Sequence, residues 1–181
     1  GPVVLVAPFA DPRTARCEEI INAQFVSRVG HSLSALDEHA QFGLPDLGEL
    51  TGAGRSTTDY WVRYSLSAMI FAGVFDRYPK LRVGSVEHEA AWIPHWLKQM
   101  DFTYRERPVF TKGWKSREGL LPSDYWHRNM FVEFMEDDCG IRLRDVIGVD
   151  NMLWGNDFPH AESTWPKSRE FLDRIFAGTP D

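Results

Sequence analysis

Three side chains in this 181-residue sequence are of a type that can move a proton or hold a divalent cation, and they stand at or just beyond the ends of short apolar runs: Glu87, Asp157 and His160. Asp157 and His160 lie in "WGNDFPHAESTWP", residues 154–166, directly behind Asn151-Met152-Leu153, while Glu87 closes "LRVGSVE". A carboxylate so placed can ligate a metal or accept and return a proton, and a nearby imidazole can share either task. The plainer reading of each acid is an N-cap for the helix that follows. His31, after "FVSRVG", is a further candidate ligand if residues 25–30 form a strand; beside Gly and Ser it also reads as an ordinary turn residue.

Such residues need elements to aim them. Four brief apolar runs have strand character: Val3–Ala7, Leu81–Glu87, Met130–Met135 and Asn151–Asp157. Between them lie helical patterns. Tyr60–Tyr78 is stopped by Pro79, and Ala90–Tyr104 repeats an apolar stripe through Trp92, Ile93, Trp96, Leu97 and Met100. Arg142–Ile147 and Ser163–Phe176 supply two more, the last expected to open on Ser163 or Thr164 with Pro166 in its first turn. The alternation predicts an α/β fold of right-handed βα units around a parallel sheet, in which chemistry gathers where strands end. One stretch, 31–58, is a loop-rich excursion that takes no element assignment.

Composition bounds the rest. The length predicts a single domain, 1–181, able to bury a sizeable core. A net charge of −6 with scattered Lys and Arg disfavours a nucleic-acid surface, and no apolar stretch has membrane-spanning length. A small-molecule substrate is the better fit. Cys17 and Cys139 form no C-x-x-C pair, so neither a disulfide framework nor a thiolate zinc site is signalled, and the amino-terminal residues do not read as a signal peptide. A cytoplasmic setting is the expectation. His39 sits in the unassigned stretch; His88 and His95 read as partly exposed histidines, His127 as structural, and "MEDDC" at 135–139 as a helix cap.

"GNDFPHAESTWP" behind "NMLW", "VFDRYPKLRVGSVEHEAAWIPHWLKQMD" at 74–101 and "LPSDYWHRNMFVEFMEDD" at 121–138 together resemble the amidohydrolase-related family. The resemblance is nearest to the branch that includes aminocarboxymuconate-semialdehyde decarboxylase and other metal-dependent decarboxylases and hydrolases. It runs from about Tyr64 to Ala177, the carboxyl-terminal half of that family's TIM-like (β/α)8 barrel. It implies that Asp157 is a last-strand metal ligand that also handles a proton, that His160 of the D-x-P-H motif stands near the metal, and that Glu87 faces the substrate or the metal. It further implies a divalent ion, Zn or Mn, and a hydrolase or decarboxylase acting on a small carboxylate-bearing substrate, aromatic or enol in character.

The departures are as informative. Members carry a His-x-His pair on the first strand, and this chain has none. A (β/α)8 barrel takes about 250 residues and eight strands, far more than the runs found here. Half a barrel leaves parallel edges unpaired and a core uncovered, which predicts a homo-oligomer or pairing with a missing amino-terminal half. The second reading is a half-barrel that has given up catalysis and serves as an assembly module.

Overall fold

The structure, a computed structural model, describes residues 3–6, 56–57 and 59–179. His31, the candidate strand 25–30, His39, Cys17 and all of the excursion 31–58 except residues 56 and 57 lie outside the described residues. Strand β1 (Val3–Val6) and the chain from Asp59 onward belong to one compact unit.

The expected strands form, each shorter than its apolar run: β1, β2 (Arg82–Ser85), β3 (Met130–Phe134) and β4 (Met152–Trp154). They make one parallel sheet in sequence order, with Val3 opposite Arg82, Val83 opposite Met130, and Val132 opposite Met152. Helices α1 (Asp59–Phe71) and α2 (Val74–Arg77) precede β2; α3 (Ile93–Glu106) and α4 (Pro122–Asn129) lie between β2 and β3. Helices α5 (Asp138–Arg142) and α6 (Arg144–Ile147) lead to β4, and α7 (Ser168–Ile175) follows it.

The helical expectations change at four points, the first being that the helix expected at Arg142–Ile147 is instead α5 and α6, which meet at Leu143. The pattern over 60–78 is two helices, because Gly73 adopts φ 66 and ends α1, with the Arg77 guanidinium donating to the Ala72 carbonyl at 2.7 Å. A side chain at Gly73 would also crowd the Trp114 indole nitrogen at 3.1 Å. The last helix starts at Ser168 and not at 163 or 164, since Ser163 and Thr164 are bonded into the preceding loop. Helix α4 was not foreseen at all; Pro122 opens it, and Asp124 accepts from the Leu121 N–H at 2.7 Å.

Alternation along β3 divides the sheet into two faces. Met130, Val132 and Phe134 are buried with Val83 against the helices, while Phe131 and Glu133 point the other way, joined by Leu153. Leu153 is 51% exposed. Among the described residues no element covers that second face, which is the side a closed barrel would turn inward. Gly84 makes room there: a Cβ would lie 2.4 Å from the Phe131 ring and turn it aside.

The helix-covered side carries the core. Trp126 is fully buried, packs edge-on to Trp92 and Trp96, and donates its indole N–H to the Ile147 carbonyl at 2.7 Å. Burying one such ring is worth about 4–6 kcal/mol by area, an upper bound. At the amino ends of the strands two buried amides act as pins. Asn129 donates to the carbonyls of Pro79 and Leu81, and Asn151 donates to those of Met130 and His127, at 2.7–3.1 Å. His127 lies in the last turn of α4 at this same edge, with its side chain exposed and its carbonyl accepting from Asn151.

Candidate active site at the carboxyl edge of the sheet

The opposite edge is built from three loops, after β2, β3 and β4. All three strand ends are rich in acids, and the geometry gives each acid a distinct task.

Asp137 is a staple. One carboxylate oxygen accepts from the Gly140 N–H at 2.6 Å and caps α5; the other accepts from the N–H groups of Ala90 and Ala91, both at 2.7 Å. The cap expected in 135–139 is therefore present. Glu89 answers in the reverse direction, accepting from the N–H groups of Met135 at 3.2 Å and Glu136 at 3.1 Å. The loops after β2 and β3 thus clasp each other through side-chain carboxylates and main-chain donors. Burial, with the Asp137 and Glu133 charges adding to it, pushes the Glu89 carboxyl above the usual range against the pull of those two N–H bonds.

Glu133 stands on β3 between the two strand ends that carry the candidates. Its carboxylate accepts from the Glu87 N–H at 3.2 Å. Burial raises its carboxyl above the ordinary range, with Asp157 and Glu87 adding repulsion and the Glu87 N–H opposing. Nothing in the sequence reading marked Glu133. An acid in an alternating strand looks like the solvent side, and only the position of the strand in the sheet shows where it points.

Glu87 and Asp157 are not helix caps. The helix after β2 opens at Trp92 and the helix after β4 at Lys167, so the plainer reading of both acids falls away. Their backbones are unusual instead: Glu87 has φ 65 and Asp157 has φ 55, and Glu89 shares the conformation at φ 53. Left-handed backbone is uncommon for residues other than glycine and costs roughly 1–3 kcal/mol where the side chain is unsuited to it. Among the described residues only Lys112 joins these three, so the strain is concentrated at this edge.

Asp157 holds His160: its Oδ2 lies 3.0 Å from Nδ1 of the imidazole, and its carbonyl accepts from the His160 N–H at 2.8 Å. The Asn156 carbonyl accepts from Ser163 Oγ at 2.6 Å and the Thr164 N–H at 3.1 Å, closing the loop around the pair. Phe158 and Trp165 pack edge-on at 5.9 Å beside it, both more than half exposed. The arrangement brings Glu87, Glu133 and Asp157 to one edge with an orientated histidine, which suits proton transfer.

The other histidines divide differently from expectation. His95 is exposed on α3, whereas His88 precedes the helix and is 94% buried, so the two do not share a helix face. Burial lowers the His88 pKa, partly offset by the Val86 backbone and the Asp59 charge. Among the described residues no group of three or more His, Cys, Asp and Glu side chains could hold a metal. Asp157 and Glu87 offer oxygen donors, and His160 is turned to Asp157. The described residues do not by themselves fit a divalent ion, and a site would need imidazole donors from outside them.

A parallel α/β sheet with its acidic residues at the carboxyl edge defines the class of the chain. No family model matches the sequence, and no curated protein matches it. Among solved structures the chain resembles an amidohydrolase from Mycobacterium avium subsp. paratuberculosis K-10, with a TM-score of 0.61 and 23% identity over 82% of this chain and 36% of that one. It also aligns with 5-carboxyvanillate decarboxylase LigW2 from Novosphingobium aromaticivorans, a manganese-bound mutant, with a TM-score of 0.48 and 18% identity over 61% of this chain and 32% of that one. The chain spans about a third of the length of these proteins. No helix among the described residues is long and apolar enough to cross a membrane.

Proposed function

We propose that the chain supplies the carboxyl-terminal portion of a TIM-like barrel enzyme of the amidohydrolase kind, a hydrolase or decarboxylase acting on a small carboxylate-bearing substrate. The observation that carries this reading is the pair of strained acids, Glu87 and Asp157, released from capping and held at two strand ends with His160 bonded to Asp157. The fold shared with an amidohydrolase supports it.

In this reading Asp157 and His160 work as a proton-transfer couple. Asp157 fixes the imidazole through Nδ1, which leaves Nε2 to give or take the proton at the substrate. Glu87, its side chain exposed toward the same edge, orients the substrate or accepts a second proton. Decarboxylation would need a proton delivered to the carbon that loses carbon dioxide; hydrolysis would need one taken from water. Asp157 and Glu87 are the oxygen donors this chain would contribute to a Zn or Mn site, with His31 the further candidate ligand in the sequence.

Metal content of the chain assembled with an amino-terminal half-barrel that brings further imidazoles, purified without chelator and compared with Asp157→Asn, tests this. About one Zn or Mn per assembled protein, lost in the variant, is the expected result, followed by carbon dioxide release or hydrolysis when carboxylate and lactone substrates are screened. A folded protein with neither metal nor turnover, alone or with an amino-terminal half-barrel added, would instead favour the assembly-module reading.

A further inference from the structure

Glu133 touches both strand ends that carry the candidate catalytic acids. On one side its Oε2 accepts from the main-chain N–H of Glu87, the residue held at φ 65. On the other its Oε1 occupies the space beside Gly155, where a Cβ would lie only 2.2 Å from that oxygen. Gly155 itself continues the sheet, its N–H donating to the Phe134 carbonyl at 3.1 Å, and it is two residues from Asp157.

We propose that Glu133 is a positioning residue: a peg on the middle strand whose carboxylate fixes the Glu87 backbone in its left-handed turn and whose fit against Gly155 sets the separation of Glu87 from Asp157. The inference rests on reading those two acids as the reacting groups. Its physical content is a single shared contact. A Cβ at 155 would also meet Cδ and Cγ of Glu133 at 3.0 and 3.2 Å, so it displaces the end of that side chain as a whole, and with it the oxygen that accepts from the Glu87 N–H. A methyl group at position 155 must therefore act at position 87, one strand beyond its nearest neighbour. Glycine at 155 is needed for the room it leaves, not for its backbone freedom, as it is absent from the residues with positive φ.

The test uses the full chain, labelled with nitrogen-15, and the variants Glu133→Gln, Glu133→Ala, Gly155→Ala and the combination Gly155→Ala with Glu133→Ala. The amide signal of Glu87 is followed for its shift and exchange rate, with thermal melting as the control for folding. Glu133→Ala and Gly155→Ala should each speed exchange at Glu87 by roughly tenfold, the scale of one lost hydrogen bond, while Glu133→Gln keeps an acceptor and stays within about twofold of the parent. The combination should add little to either single change, since both act through one contact.

An unchanged Glu87 amide in Gly155→Ala, or effects that add in the combination, would overturn the proposal. Should Glu133→Ala fail to fold, the Gln and Gly155 variants decide it. The turnover screen above separates this from the functional reading: loss of turnover in Asp157→Asn and Glu87→Gln supports their joint role and unchanged turnover counts against it, while the amide pattern alone decides whether Glu133 positions Glu87.

Discussion

Glu87 and Glu89 are the same residue type two positions apart, with nearly the same left-handed backbone, yet one is spent and one is free. Glu89 is occupied by two N–H donors from the next loop, whereas Glu87 receives its support through its own N–H and keeps its carboxylate exposed. Sequence reading chose Glu87 and Asp157 because they end apolar runs, and it had no means of seeing Glu133, whose role depends on which face of β3 turns toward the open side. A pH test follows from Glu133. Its carboxyl is raised in the folded state, so the neutral form is the one the fold favours. Stability from this group is complete below the unfolded carboxyl range near pH 4 and is lost as pH rises through the higher folded value. In metal-free protein, Glu133→Gln should therefore melt at or above the parent at pH 7, with the difference shrinking as pH falls toward 4. A Gln variant that melts lower at every pH would contradict this.

At the scale of elements, the two edges of the sheet use opposite chemistry for one reason. Main-chain groups left over at either edge must be paired: at the carboxyl edge carboxylates accept from N–H groups of the loop after β2 and of α5, and at the amino edge the amides of Asn129 and Asn151 donate to carbonyls, those of Pro79 and Leu81 ahead of β2 and those of His127 and Met130 where α4 passes into β3. Asp137→Ala removes an acceptor from three main-chain donors, two of them in another loop, and should lower unfolding free energy by about 2–4 kcal/mol in urea titration. A loss below about 1 kcal/mol would show that water replaces it. The segment before α4 is closed by another polar knot: Tyr125 donates to Asp76 at 2.5 Å and contacts Ser116 at 2.7 Å, while the Trp114 indole donates to the same Asp76. Burial, then the Asp76 hydrogen bond, push the Tyr125 hydroxyl up to about 12. The neutral phenol is thus favoured on folding, and its contribution is present below about pH 10 and lost as pH rises toward 12. Tyr125→Phe should flatten the alkaline limb of the stability profile between those values. The strands were legible because their apolar runs are short and interrupted; α4 was not, because its eight residues carry only Tyr125 and Trp126 as apolar signal and rely on Pro122 and Asp124 to start.

For the whole molecule, the dominant fact is the sheet face that no other described element covers. Phe131, Glu133 and Leu153 lie where a closed barrel keeps its interior, and the chain spans about a third of the proteins it resembles. The proposed reading expects native mass spectrometry to find the chain associated, either as copies or with an amino-terminal half supplied in trans, and Leu153→Lys to shift the population toward a single 20.8 kDa chain. A monomeric parent with the same melting behaviour as Leu153→Lys would argue that this face needs no partner. The reciprocal grip of the two acidic loops has a bearing beyond stability. Asp137 and Glu89 grasp peptide groups at Ala91, Met135 and Glu136, not the side chains of those residues. Any amino acid except proline can present the same N–H, so the rim's lettering is free to vary while its frame stays in register. New substrate preferences could be written at those positions without rebuilding the scaffold beneath them.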